Sequence, residues 1–207
     1  MGTMTTPTMT ITAKDVAELR KRTGAGMMDC KKALEETAGD MSRAAEWLRA
    51  KGIAKADRRA GREAREGRVE IYHHHNAKLA VLVEVNCETD FVARTGDFVT
   101  LCRDLAMHIA SAAPLAVAIE DLPAETVERE RRIIAEQVAA EGKPEAVRAK
   151  IVEGKLKKFF SDVVLLEQPF VKDDQQTVGD LVKAASGKTG EKIQVRRFVR
   201  FQLGESA

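Results

Sequence analysis

The sequence predicts an α+β protein: an N-terminal three-helix module, then a core domain with a small antiparallel sheet, packed helices and a helical hairpin arm. Three patterns predict it. Apolar residues recur at helical spacing in three short bursts over residues 12–52. They alternate at period two over residues 68–85 and again over 192–203. Between those stretches the period returns to that of long amphipathic helices, so strands and helices are grouped rather than strictly alternating.

Composition bounds the rest. The 207 residues are 44% hydrophobic and 32% charged, which fits a folded, well-charged chain and not a disordered one. A net charge of +2 singles out no class of partner. No run of 18 apolar residues occurs, so neither a spanning helix nor a membrane partner is expected. The start, MGTMTTPTMTIT, lacks the basic and apolar blocks of a secretory signal and reads as a flexible tail through residue 11. Three unevenly spaced cysteines, Cys30, Cys87 and Cys102, suit a reducing cytoplasm and no disulfide scaffold.

Thr12-Ala-Lys-Asp15 has the form of a reciprocal cap and opens a helix with Val16 and Leu19 inward. Gly24-Ala-Gly26 breaks it. A second helix runs through Met28, Ala33 and Leu34 to about Gly39, and Asp40 caps a third with Met41, Ala44, Ala45 and Leu48 on one face. Gly52 is expected to close it, giving a docking module over 12–52. Residues 51–68, KGIAKADRRAGREAREGR, hold seven basic and three acidic residues and no aromatic. Single-strand binders interleave stacking rings with their charges, so 53–67 reads as a solvated, partly helical linker, with no direct nucleic-acid contact expected.

The core domain, 68–207, opens with a hairpin. Val69, Ile71 and His73 alternate along its first strand, and Leu79, Val81, Val83 and Val85 along its second. A helix over 97–112 carries Phe98, Leu101, Leu105 and Ile109 on one face. A helical hairpin follows over about 125–166, broken at Gly142-Lys-Pro144. Val152, Leu156, Phe159, Val163 and Leu166 form a seam for a partner helix. A last strand, 192–203, puts Ile193, Val195, Val199, Phe201 and Leu203 on one side. Arg197 breaks that parity, through a bulge or a snorkelling side chain.

Few residues invite covalent chemistry. Among His73, His74 and His75 only the first and third share a strand face, and no further ligands stand at zinc spacing, so no metal is expected. His108 reads as a core-edge histidine and Cys87 as a buried, inert thiol. Ser186-Gly-Lys-Thr189 resembles the end of a phosphate loop. It lacks the earlier glycine, having Val182 there, and it joins helix to strand rather than strand to helix. No cofactor and no active site are expected. What stands out is apolar excess at two turns, around Met27 and Met28 and at Thr89-Asp-Phe-Val92. At least one of the two methionines is expected to pack inward.

Residues 20–32, RKRTGAGMMDCKK, followed by CETDFVAR at 87–94, closely resemble the bacterial translation elongation factor Ts family. The likeness continues through Leu105-Ala-Met-His108, EGKLKKF at 153–159, Gln168-Pro-Phe170 and RFVRF at 197–201, and covers nearly all of 12–204. It implies a ubiquitin-associated-like fold for the first module. The activity it implies is non-enzymatic: displacement of GDP from the GTPase elongation factor Tu, with no cofactor. By the family's pattern, Thr89, Asp90, Phe91 and Val92 are pushed in beside the GTPase's magnesium, Phe91 as the wedge and Asp90 fixing the approach. Arg20, Met27 and Met28 match the contact to the nucleotide domain, and His75 matches a further partner contact. Many members carry two related half-core units, whereas this chain has length for one. It resembles the short form, for which a homodimer is implied, through either the heptad seam or the last strand.

Overall fold

The computed structural model describes residues 11–205 apart from 58, 60 and 143, and only the backbone of 53–57. The chain is α+β and forms two compact units. The first comprises residues up to Glu63 together with Lys183–Lys192; the second comprises Ala64–Val182 and the residues from Ile193 on.

In the first unit, helices α1 (Ala13–Thr23), α2 (Met27–Glu36) and α3 (Met41–Asp57) enclose Val16, Leu19, Cys30, Ala33, Leu34, Ala44 and Leu48. The caps are those that the sequence predicts. Thr12 accepts from Asp15 N while the Asp15 carboxylate accepts from Thr12 N, and Asp40 Oδ1 accepts from Ser42 N and Arg43 N at 2.9 Å. Gly24 ends α1 in the left-handed region at φ 68°, which a glycine adopts without strain.

Gly52 does not end α3, which runs on to Asp57 into the predicted linker. Its role is close approach: a Cβ on Gly187 would lie 3.0 Å from Gly52 Cα. The end of helix α8 (Val178–Thr189) therefore belongs with this unit and not with the core domain to which composition assigns it. Arg59 donates to Ser186 O at 3.2 Å and Lys192 Nζ to Arg62 O at 2.8 Å, adding to that attachment.

The second unit is built on strands β1 (Glu66–His73), β2 (Leu79–Cys87) and β5 (Gln194–Gln202), antiparallel in the order β1-β2-β5. Helix α5 (Gly96–Ala112) covers one face, burying Phe98, Leu101, Leu105 and Ile109 against Val81, Val83 and Val85. Helices α6 (Ala124–Ala140) and α7 (Glu145–Val163) form the arm. Its seam meets α6 of the same chain, where Ile134, Val138 and Leu156 are buried with Val152 and Phe159 against them. A short hairpin, β3 (Pro169–Phe170) with β4 (Asp173–Thr177), goes unread in the sequence because its residues are mostly polar.

The apolar residues of the last strand do not lie on one side. The register between β2 and β5 shifts between Glu84 and Val85, so Arg196 has no facing residue. Ile193 and Val195, before this bulge, are buried; Val199, Phe201 and Leu203, after it, are exposed on the opposite face. Arg197 is thus in phase with the outer set and meets Glu84 at 2.8 Å. Ile71, Leu82 and Val199 form one cross-strand row on that outer face, flanked by Val69 and Phe201, and all five are exposed.

Candidate functional site

The site grows from the end of β2. Cys87 is fully buried there, and β1 comes in against Val85 and Asn86 through Gly67, where a Cβ would lie 2.1 Å from the Val85 carbonyl oxygen. The buried Asn86 amide donates to Glu66 O and Glu84 Oε1, each at 3.3 Å, which fixes the last strand pair before the chain turns. Sequence reasoning missed Gly67, although a lone glycine at a strand start is the signal for such an approach.

The chain then makes one helical turn, α4 (Asp90–Ala93), none of whose residues is buried. Thr89 is its N-cap, with Oγ1 accepting from Val92 N at 3.4 Å. Cys87 Sγ donates to Thr89 O at 3.1 Å, so the inert thiol also anchors the turn. Thr95 closes the other end: its hydroxyl donates to Val92 O at 2.8 Å and accepts from Phe98 N at 3.3 Å, capping α5 at the same time. Phe91 is 81% exposed at the centre of this capped turn, and the Asp90 carboxylate pairs with Arg94 at 2.9 Å. Thr89, Asp90, Phe91 and Val92 therefore form one capped, exposed corner with a carboxylate beside an apolar ring.

In the other unit, Arg20 lies exposed at the end of α1 and the two methionines at the start of α2, around the Gly24–Gly26 turn. Met28 is 78% exposed and Met27 43%, so neither packs inward as expected. The inward face of α2 is taken by Cys30, Ala33 and Leu34. His75 stands exposed in the turn between β1 and β2. The length of β2, on the order of 25 Å, separates it from Thr89. Within this unit His75 is not brought to the corner that Phe91 occupies.

The chemistry of the remaining candidates is structural. Gln168 Nε2 donates to Ala112 O and Asp162 O, so its Oε1 faces His108 Nε2 at 3.0 Å, while Val171 N donates to Nδ1 at 3.2 Å. His108 is thereby a neutral, fully bonded core residue, and burial pushes its pKa down. All three cysteines are buried; burial and the nearby Glu70 carboxylate push the Cys102 thiol up to about 12. Tyr72 Oη lies 2.8 Å from His74 Nδ1, and the His74 and His75 rings lie with centroids 4.2 Å apart. Among the described residues no group of three His, Cys, Asp or Glu could hold a metal ion.

Residues 7–205 match the profile of a family described as Elongation factor TS. The chain is 57% identical over 195 residues to Elongation factor Ts of Carboxydothermus hydrogenoformans, covering 94% of this chain and 90% of that protein. It is 54% identical over 197 residues to Elongation factor Ts of Fervidobacterium nodosum, covering 95% of this chain and all of that one, and 55% identical to its counterpart in Moorella thermoacetica over 94% and 96%.

Proposed function

Because the chain belongs to the elongation factor Ts family, and so to the translation elongation factors, we propose that it is a guanine nucleotide exchange factor for elongation factor Tu. It is a binding protein: it engages elongation factor Tu carrying GDP, weakens the hold on the nucleotide, and lets GTP follow. No covalent step is involved. The observation that carries this reading is Phe91, a large ring 81% exposed on a turn capped at both ends. Such a ring gains roughly 1.5–3 kcal/mol when a partner buries it.

In this reading Thr89–Val92 enters the GTPase beside the magnesium ion that the GTPase holds. Magnesium demands near-ideal octahedral geometry, so a ring wedged behind the groups that hold it disturbs the ion without touching the nucleotide. Asp90 can leave Arg94 for a partner group at small cost, since an exposed pair contributes only about 0.3–0.5 kcal/mol. Arg20, Met27 and Met28 dock the first unit on the nucleotide domain, the methionines by adapting their shape. His75 is kept as a secondary contact, made on a separate region of the partner or by a second copy of the chain.

The chain acts as a homodimer in the cytoplasm. Its arm seam is occupied by α6, whereas the outer sheet face around Ile71, Leu82, Val199 and Phe201 is apolar and exposed, with a depression of about 280 Å3 between Val69, Leu82 and Val199. Contiguous exposed apolar surface of this kind favours association. Among the described residues no helix is long and apolar enough to cross a membrane. A nucleic-acid role is disfavoured because basic residues of 51–68 are engaged internally: Lys51 with Asp29 at 2.9 Å, Arg59 with Ser186 O, and Arg68 with Glu70 at 2.6 Å. The deciding experiment is release of labelled GDP from elongation factor Tu with and without the protein. Release that is no faster in its presence refutes the proposal.

A further inference from the structure

We propose that Thr95 is a positioning residue for the wedge, its hydroxyl holding the Phe91 turn in register with α5. This rests on the reading of Thr89–Val92 as the inserted segment.

A four-residue helix cannot hold itself. Helix nucleation is unfavourable, and α4 buries none of its residues. The direction of Phe91 must therefore come from what closes the turn. At the C-terminal end the Thr95 hydroxyl donates to Val92 O at 2.8 Å, reinforcing the backbone bond from Thr95 N to the same oxygen at 3.0 Å. The Thr95 hydroxyl oxygen in turn accepts from Phe98 N at 3.3 Å. Phe98 is 1% exposed, locked under the sheet in the first turn of a seventeen-residue helix. One hydroxyl thus ties an exposed turn to an immobile one. Thr95 itself is exposed and has no place in the apolar core. Without its hydroxyl the docking surfaces are intact but the turn frays, and the ring must be ordered at the moment of insertion, which costs free energy.

The test compares Thr95→Val, which keeps the shape and loses both side-chain bonds, with Thr95→Ser, which keeps both. GDP release from elongation factor Tu is followed against factor concentration, per folded molecule as judged by melting. For Thr95→Val the maximum rate is expected to fall about fivefold, the factor that one lost cap represents. The half-saturating concentration stays that of the parent, and Thr95→Ser matches the parent in both. Amide hydrogen exchange over Phe91–Arg94, measured on the free protein, is expected to quicken in Thr95→Val alone. A parent that fails to release GDP overturns the exchange reading, and the amide measurement then decides the positioning role by itself. An active parent with an equally active Thr95→Val, or unchanged amide exchange in that variant, overturns the role of Thr95.

Discussion

The Asp90 carboxylate lies 2.9 Å from the Arg94 guanidinium, one helical turn away, and the pair flanks the ring of Phe91 without covering it. An exposed charge pair beside a largely exposed ring supports the proposal that this corner meets a partner. Phe91→Ala should therefore leave the melting temperature close to that of the parent, since exposed substitutions cost within about 0.5 kcal/mol. GDP release should fall tenfold or more, about 1.4 kcal/mol of lost coupling per factor of ten. Asp90→Ala should fall less. Stopped-flow release paired with a melt checks both; a large loss of stability with normal release would return Phe91 to the core.

The proposed docking by the first unit can be tested separately. Replacing Met27 and Met28 together by Ala removes two exposed side chains and none of that unit's buried core. Affinity for elongation factor Tu should drop by about 2 kcal/mol, the cost typical of a binding hot spot, with folding unchanged. Calorimetry of the complex reads this directly, and an unaltered affinity retires the docking role.

In the proposed homodimer the outer sheet face is the interface, with two-fold symmetry. Phe201 is 68% exposed there, so Phe201→Asp should spare the fold while placing a charge in the interface. Sedimentation at micromolar concentration should show a dimer for the parent and a single chain for the variant. A parent that sediments as one chain removes the dimer from the proposal.

His108 gives the protein an acid limit. Its folded pKa lies below the ordinary 6.5 because burial disfavours the charged ring, with the Gln168 bond acting weakly the other way. As pH falls through about 6.5 the unfolded chain takes a proton that the folded chain refuses, and stability is lost until the folded pKa is reached. Its contribution is fully present above that range. Protonation would also set a proton on Nδ1 against the Val171 N–H. His108→Gln should be less stable than the parent at neutral pH yet show a smaller fall in melting temperature between pH 7 and pH 5. Equal falls in both proteins would deny His108 this role.

Much of the site was legible because it is local. Asp15 closing on Thr12 and Asp40 capping α3 are decided within three or four residues, where side-chain chemistry and spacing leave little choice; the Thr89 cap on Val92 obeys the same rule but went unread. The exposed ring at the strand end was legible for the same reason: an apolar residue at a polar corner has nothing nearby to pack on. Gly52 shows where such reasoning ends. A glycine that breaks a helix and one that admits a neighbouring backbone look alike in sequence, and only Gly187 across from it tells them apart.

By itself the sequence determined the α+β class, the order of its main elements and the turn that presents Asp90 and Phe91. The tertiary structure alone decided what lies opposite what. It placed α6 in the arm's seam, joined the end of α8 to the first unit, and set the length of β2 between His75 and Phe91. It also moved Val199 and Phe201 to the outer face through one unpaired residue at Arg196. The physical reason is the same in each case. Periodicity records which residues share a side of their own element, but a side becomes core or surface only when another element covers it, and a single added residue in a strand reverses the two.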